Sequence, residues 1–461
     1  MSAPKLQVSV EPFESGKVVY APMSAAAAGG LEQGRLMLQL SITNQEPTVG
    51  QMQSLSIKLK GPGNYPSKTL PLAWHWIANG QDYTAPFTIA ANSNELWWFQ
   101  DPTDNLIFST SPAPTQIELG LTCGGFADPA TFVFPLAPHH APTSAGAYRF
   151  PAAYDDLDDK EYWQTNGATH GVGAEGSQSF AYDMDVRGYD GAQWSRLLPG
   201  TDGSANEHFR VWAKPIYAMA EGFVNQVLFD VPTNPAPLTG PDWAAQKAAT
   251  WGKWLTDHGY DYDTDLPHAG GGNHLYIQHG DEIVSYFHMQ PYSIPEPLRA
   301  AGASVQPGQL LGHAGNSGNA SAPHLHVHAI RGTEAEEGPL RPLLFAPLSV
   351  VETDLVIGTS GPWVSVTNGR SFPPLDVFIA PNVIQGPARW VLDPFAGILR
   401  DDIYWRLTLP DPGPLEPVIQ QLEHQLAQAT PDVRRQMLQR VEHLRGYFAD
   451  VASSIRAVAR R

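Results

Sequence analysis

One cysteine, Cys123, stands in 461 residues, so no internal disulfide and no thiolate-rich metal site can form. It lies in Leu119-Gly-Leu-Thr-Cys-Gly-Gly and reads as a buried strand residue rather than a reactive thiol. Basic residues are also scarce. There are 28 Lys and Arg against 46 Asp and Glu, a formal net charge of −18. A domain-wide basic face is excluded, and with it nucleic acid held through its phosphates. No stretch approaches the run of about 18 uncharged apolar residues that a membrane-spanning helix needs. The first residues, Met1-Ser-Ala-Pro-Lys-Leu-Gln-Val, lack a charged start followed by an apolar core, so no signal peptide is expected. The expected location is the cytoplasm, or the cell envelope or exterior by a route that reads no N-terminal signal.

Turn formers and core formers are plentiful. The chain has 42 Gly and 42 Pro, 42% hydrophobic residues and 10% aromatic residues. Its length predicts several domains, and short strands with frequent turns should dominate. Residues 1–145 read as a β-sandwich, immunoglobulin-like in its punctuation. Short alternating segments such as Arg35–Thr43, Ser54–Lys60, Asn94–Phe99, Thr115–Thr122 and Ala130–Pro135 are separated by Gly61-Pro-Gly and Asp101-Pro-Thr-Asp. His139 and His140 fall in Ala137-Pro-His-His-Ala-Pro, expected to be a solvated linker. Residues 146–350 hold most of the histidines. Between about 232 and 271 lies an insertion with Trp243, Trp251 and Trp254, part of it helical in pattern. Residues 351–461 start irregular and Pro-rich and end in an expected helical hairpin. Its longer arm begins at Thr430-Pro431 and places Val433, Met437, Val441, Leu444, Phe448, Val451, Ile455 and Val458 on one stripe. That stripe packs on the chain itself or on a protein partner.

The chemistry concentrates in Gly315-Asn-Ser-Gly-Asn-Ala-Ser-Ala-Pro-His-Leu-His-Val-His328. With 16 His in 461 residues, roughly 0.6 His-x-His pairs arise by chance, so the pair alone is a weak motif. In a strand, however, alternate side chains share a face, and His324, His326 and His328 would meet in one space. Imidazole suits zinc and also carries protons. His274 and His313 read as strand residues, and His279 as part of a polar turn. The acidic run around His258 lacks a full calcium-loop pattern and reads as a solvated loop.

Four blocks occur in order. They are Thr169-His170 followed by Phe180-Ala-Tyr-Asp-Met184; Ile216-Tyr-Ala-Met-Ala-Glu-Gly-Phe-Val224; Gly272-Asn-His-Leu-Tyr-Ile-Gln-His-Gly280 running to Ser285-Tyr-Phe-His-Met-Gln290; and Val305-Gln-Pro-Gly-Gln-Leu-Leu-Gly312 followed by Gly315-Asn-Ser-Gly and Pro323-His-Leu-His326. Over roughly residues 165–350 the series resembles the lysostaphin-type (LytM-like) zinc endopeptidases, which cut peptide cross-links of bacterial peptidoglycan. The resemblance implies a small, mainly antiparallel β domain of the duplicated-hybrid-motif type, with one zinc per chain in a groove. It implies His170, Asp183 and His326 as zinc ligands, and His288 and His324 as catalytic histidines. Two His and a carboxylate leave zinc one open coordination position, as a catalytic site requires. In many family members the first His stands much closer to the Asp. Here residues 171–182 intervene, as in a variant of the family with a loop before the Asp. Asp185 is the runner-up carboxylate, since it shares a strand face with Asp183. The implied function is zinc-dependent hydrolysis of peptidoglycan peptide stems or cross-bridges. The alternatives are a non-catalytic LytM-like binding or activator protein, and a zinc peptidase acting on a protein.

Overall fold

The computed structural model describes residues 4–380 except 26–30, 48–49, 72–75, 79–80, 84–86, 90, 92–93, 100–105, 144–145, 159–160, 166–179, 190–193, 236–242, 261–269, 333–339, 355–357, 360–363, 367–368 and 374–376. The expected C-terminal helical hairpin lies outside the described residues, as does His170.

The chain is mainly β. In the first part, alternation sets the layers. Along Leu38–Asn44, residues Leu38, Leu40 and Ile42 are buried while Gln39, Ser41 and Thr43 are only partly covered. This strand pairs antiparallel with Leu6–Glu11 on one side and Asn94–Phe99 on the other, within a five-stranded sheet. A nine-stranded sheet faces it, built around Gly50–Lys60, Gln116–Cys123 and Ala130–Pro138. Leu55, Ile57, Ile117 and Leu119 of that sheet join Leu38, Leu40 and Ile42 in one core. Each such aliphatic side chain contributes about 1.5–3 kcal/mol when fully buried. The result is a two-sheet sandwich. The strand expected over Arg35–Thr43 is interrupted at Met37 into Gln33–Leu36, which pairs with Leu106–Ser109, and Leu38–Asn44. Cys123 is buried with its Sγ 3.1 Å from Met52 Sδ, and burial pushes its thiol up to about 11.

The second part is a thirteen-stranded sheet. Its path runs Ser304–Val305, Gly222–Leu228, Asn273–His279, Glu282–Met289, Leu325–Arg331, Tyr182–Tyr189, Glu161–Thr165, Val377–Ala380, Leu348–Asp354 and Gly358–Thr359. A small antiparallel pair, Pro215–Tyr217 with Leu310–His313, covers it. Leu275, Ile277, Val284, Tyr286, Leu325 and Val327 lie in the shared core. The start of 351–461, expected to be irregular, is corrected here: Leu348–Asp354, Val364–Val366 and Val377–Ala380 extend this sheet. Val350, Val351, Val364, Val366, Val377 and Ile379 are β-branched residues that suit strands. In the insertion, Trp243–Lys247 and Lys253–Asp257 are helical with a widened turn between them. Trp251 and Leu255 pack onto Val231.

The two parts meet across buried charge. His139, expected in a solvated linker, is instead 1% exposed. Its Nδ1 lies 2.9 Å from Glu14 Oε1 of the sandwich and its Nε2 2.9 Å from Glu282 Oε1 of the large sheet. Arg341 Nε adds a 2.6 Å contact to Glu14 Oε1, and Tyr148 donates to Glu282 Oε2 at 2.7 Å. Neither His139 nitrogen makes an aligned hydrogen bond, so these are ion pairs set by proximity. Burial alone would push the His139 imidazole down, but the two carboxylates outweigh it and hold the ring up at about 9.

Candidate active site

Register carries the histidines together. Leu325–Arg331 lies between Tyr182–Tyr189 and Glu282–Met289. His326 stands directly opposite Asp183 on one neighbour and opposite Phe287 on the other, and His328 opposite Ser285. Directly opposed residues of antiparallel strands share a face. His326 Nδ1 is 2.9 Å from Asp183 Oδ1. Its Nε2 is 2.9 Å from His328 Nδ1, and His328 Nε2 is 3.0 Å from Ser285 Oγ. A polar chain therefore runs Asp183–His326–His328–Ser285, with the Phe287 ring stacked on His326 at 5.2 Å. His324 precedes the strand. Its Nε2 lies 3.5 Å from Asp183 Oδ1, and its Nδ1 is 2.8 Å from the carbonyl of Ala322.

His288 arrives by another device. Simple alternation from Phe287 would turn it to the opposite face of the sheet. The pairing of Asn273–His279 with Glu282–Met289 shifts register between Asn273 and Leu275, and His288 has φ +66°. This bulge turns the ring back, 4.6 Å from the ring of His324 and 6.0 Å from that of His326. A left-handed residue other than glycine costs about 1–2 kcal/mol. The surroundings hold it there. The backbone N–H of His288 donates to Gly271 O at 2.8 Å, and its Nδ1 is 2.9 Å from Ser317 O. A carbonyl only accepts, so Nδ1 carries the proton in both His288 and His324, leaving Nε2 of each as the acceptor nitrogen. Burial holds the His288 ring well below the usual histidine range, and His324 and His326 push it the same way.

Glycines make the Ser317 anchor possible. At Gly318, φ is +72° and a Cβ would sit 2.3 Å from Gly272 N; at Gly272, φ is +63° and a Cβ would sit 2.4 Å from Ser317. The two turns lie backbone against backbone. Ser317 Oγ accepts from Asn273 N–H at 2.8 Å and donates to Met289 O at 2.9 Å.

Asp185, the runner-up carboxylate, is engaged elsewhere: Arg187 Nε is 3.2 Å from its Oδ1 and Arg187 Nη2 3.1 Å from its Oδ2. Burial raises the Asp185 carboxyl, with Arg187 and Arg196 pulling it down. His279, expected in a polar turn, ends a strand and is buried. Its Nδ1 is 2.7 Å from Glu221 O, and burial takes its ring down to about 4. Sequence reasoning missed Ser285 and the carbonyls of Ser317 and Ala322. The pairing of Ser285 with His328 was open to a register argument; the carbonyl anchors carry no side-chain signal.

The donor set suits zinc. A carboxylate oxygen and an imidazole nitrogen converge at 2.9 Å, with a further imidazole close by and the outer nitrogen of His326 tied to a supporting residue. Among the described residues, the group of three whose ligand atoms all lie within metal-binding reach of one another is elsewhere, Glu14, His139 and Glu282, and is a different case. Its two carboxylates sit at opposite ring nitrogens with Arg341 beside them. That is the arrangement of a bridging imidazolium.

Residues 260–337 match the sequence model of Peptidase family M23. His288, His324 and His326 fall inside that span; Asp183 lies before it. This segment is thus similar to Peptidase family M23, in line with the resemblance of the ordered motifs to the lysostaphin-type (LytM-like) enzymes. No curated protein matches the chain significantly. Among solved structures, a zinc-containing peptidase from Vibrio cholerae is 12% identical with a TM-score of 0.20, covering 68% of this chain and 86% of that one. Csd3 of Helicobacter pylori is 10% identical with a TM-score of 0.20, covering 70% and 77%. A putative peptidase M23 from Pseudomonas aeruginosa is 13% identical with a TM-score of 0.19, covering 62% and 91%. Scores this low carry no weight for fold or function. Among the described residues, no helix is long and apolar enough to cross a membrane.

Proposed function

We propose that the chain is a zinc metalloendopeptidase that hydrolyses peptide cross-links of bacterial peptidoglycan. In this reading Asp183, His326 and His170 hold one zinc, and His288 and His324 are the catalytic histidines. The division into a sandwich (1–145), a peptidase domain (146–350) and a C-terminal extension (351–461) belongs to the same proposal, with the strands up to Ala380 joined to the sheet of the peptidase domain. The observation that carries it is the meeting of Asp183 Oδ1 and His326 Nδ1 at 2.9 Å beside two histidine rings 4.6 Å apart.

When bound, zinc supplies Lewis acidity, which makes water more acidic and polarises a carbonyl. The chain's own residues supply the rest. His324 Nε2 and His288 Nε2 are the acceptor nitrogens of rings fixed through Nδ1. One takes a proton from the attacking water and returns it to the leaving amine. The other, with a proton taken from solvent onto Nε2, donates to the oxygen that gains charge as the carbonyl carbon becomes tetrahedral. The depressed basicity of buried His288 keeps that ring neutral in the resting protein. His328 and Ser285 fix the orientation of His326.

The test is digestion of defined cross-linked muropeptides by purified protein, with zinc counted by mass spectrometry. One zinc per chain and a new free amine at a cross-link are expected. Stoichiometric zinc without cleavage of muropeptides or of protein substrates would favour a binding or activator role instead.

A further inference from the structure

Beside His324 lies a cavity of about 330 Å³, lined among others by Gln164, Asp183, Asp185, Arg187 and Arg196. Its charges divide unevenly. Arg187 and Asp185 neutralise each other through two contacts, and Arg187 Nε also reaches Gln164 Oε1 at 3.0 Å. Asp183 faces His326 and His324. That leaves the Arg196 guanidinium, which is near enough to Asp185 to lower its carboxyl but makes no hydrogen bond or ion pair with another side chain among the described residues. It is held 5.1 Å over the ring of Phe209. Phe209 is buried, and its backbone bridges to Leu197, next in the chain to Arg196. The cation is therefore exposed on a fixed platform at the rim of the cavity. A guanidinium stacked on an aromatic ring keeps its N–H edge available and has already lost much of its side-chain freedom.

We infer that Arg196 receives a carboxylate of the substrate next to the scissile amide, and so selects cross-links that carry one. This rests on the peptidase reading above and refines it. A glycyl bridge has no carboxylate beside its amide. A link from D-alanine to diaminopimelate has one on the very carbon that bears the acylated amine. The chain as a whole is strongly acidic, at −18, and repels anionic peptides at long range, so a local cation is the feature that would admit them. Arg187 cannot serve as well, because its fork is already spent on Asp185.

The experiment uses the zinc-loaded full chain and two muropeptide dimers. Both have the same D-alanyl–diaminopimelate amide; one has the neighbouring carboxylate free and the other has it as a primary amide. The wild type should prefer the free acid by about 10- to 100-fold in kcat/KM, the value of one charge-assisted hydrogen-bonded pair. Arg196→Gln should lose that preference, mainly through KM and on the free acid alone, while keeping its zinc. Arg196→Lys should recover part of it. Equilibrium binding of both dimers to His288→Ala gives a readout independent of turnover. A preference that survives Arg196→Gln, or equal binding of the two dimers, would overturn the inference. Tighter binding of the free acid that depends on Arg196, with neither dimer cleaved by the wild type, would sustain the inference and remove the peptidase reading instead. Loss of zinc in Arg196→Gln would also overturn it, since Arg196 would then be building the metal site.

Discussion

At His326 both ring nitrogens are committed, one toward Asp183 and one to His328. This separates the roles of its neighbours. Replacing His326 or Asp183 by Ala should abolish tight zinc binding together with activity, because each would remove one of the proposed ligands. Replacing His324 or His288 by Ala should preserve zinc and reduce kcat by about 10²- to 10⁴-fold, the range of a proton-transferring group. Retention of stoichiometric zinc in His326→Ala, or its loss in His324→Ala, would reverse the assignment. His328→Ala should weaken zinc about 10- to 100-fold in a chelator competition, since a supporting partner is lost rather than a ligand. His328→Gln, which can still hydrogen-bond, should recover part of that loss. The shared face of His324 and His326 was legible in the sequence because a strand's period of two fixes faces, and Asp183 was legible through the Ala-Tyr-Asp motif of the resemblance. The link from His328 to Ser285 was not, because it depends on which strand lies alongside.

The elements that set the site are a bulge and two facing turns. The bulge at His288 reverses what alternation alone dictates, and the turns hold the Ser317 carbonyl that anchors its ring. Gly318→Ala places a Cβ 2.3 Å from a backbone nitrogen at a positive φ. No flexible side chain can yield there, so a loss of more than about 2 kcal/mol is expected. Urea denaturation measures that loss. If the variant still folds, its activity should fall further than its zinc content, because the contact displaced is that of His288. An unaltered denaturation midpoint would show that the two turns do not hold each other. The strands Val364–Val366 and Val377–Ala380 were missed for a related reason. They are too short and too separated by turn residues for periodicity to register, and pairing with Leu348–Asp354 is what makes them strands.

Across the whole molecule, the ion-paired bridge at His139 ties the sandwich to the large sheet. Its imidazole is held up from 6.5 to about 9. A raised folded-state pKa contributes stability in full below the unfolded value, and that contribution is lost as pH rises through about 9. The denaturation midpoint of the wild type should therefore fall between about pH 6.5 and pH 9.5 by more than that of His139→Gln. At neutral pH the substitution should cost about 3–5 kcal/mol, as when one partner of a buried charge network is removed. Equal pH profiles for the two proteins would show that the ring is neutral in the fold. The sequence by itself determined the mainly β character and the sandwich-forming alternation, because these follow from local period, and its ordered motifs singled out the side chains proposed to handle metal and protons. Only the tertiary structure decided that Asp183 faces His326, that His288 turns toward His324, that Arg196 stands over Phe209 at a cavity rim, and that His139 is buried between two carboxylates. Each of those depends on register, bulge or domain contact between segments far apart in the chain, and no local pattern encodes such distances.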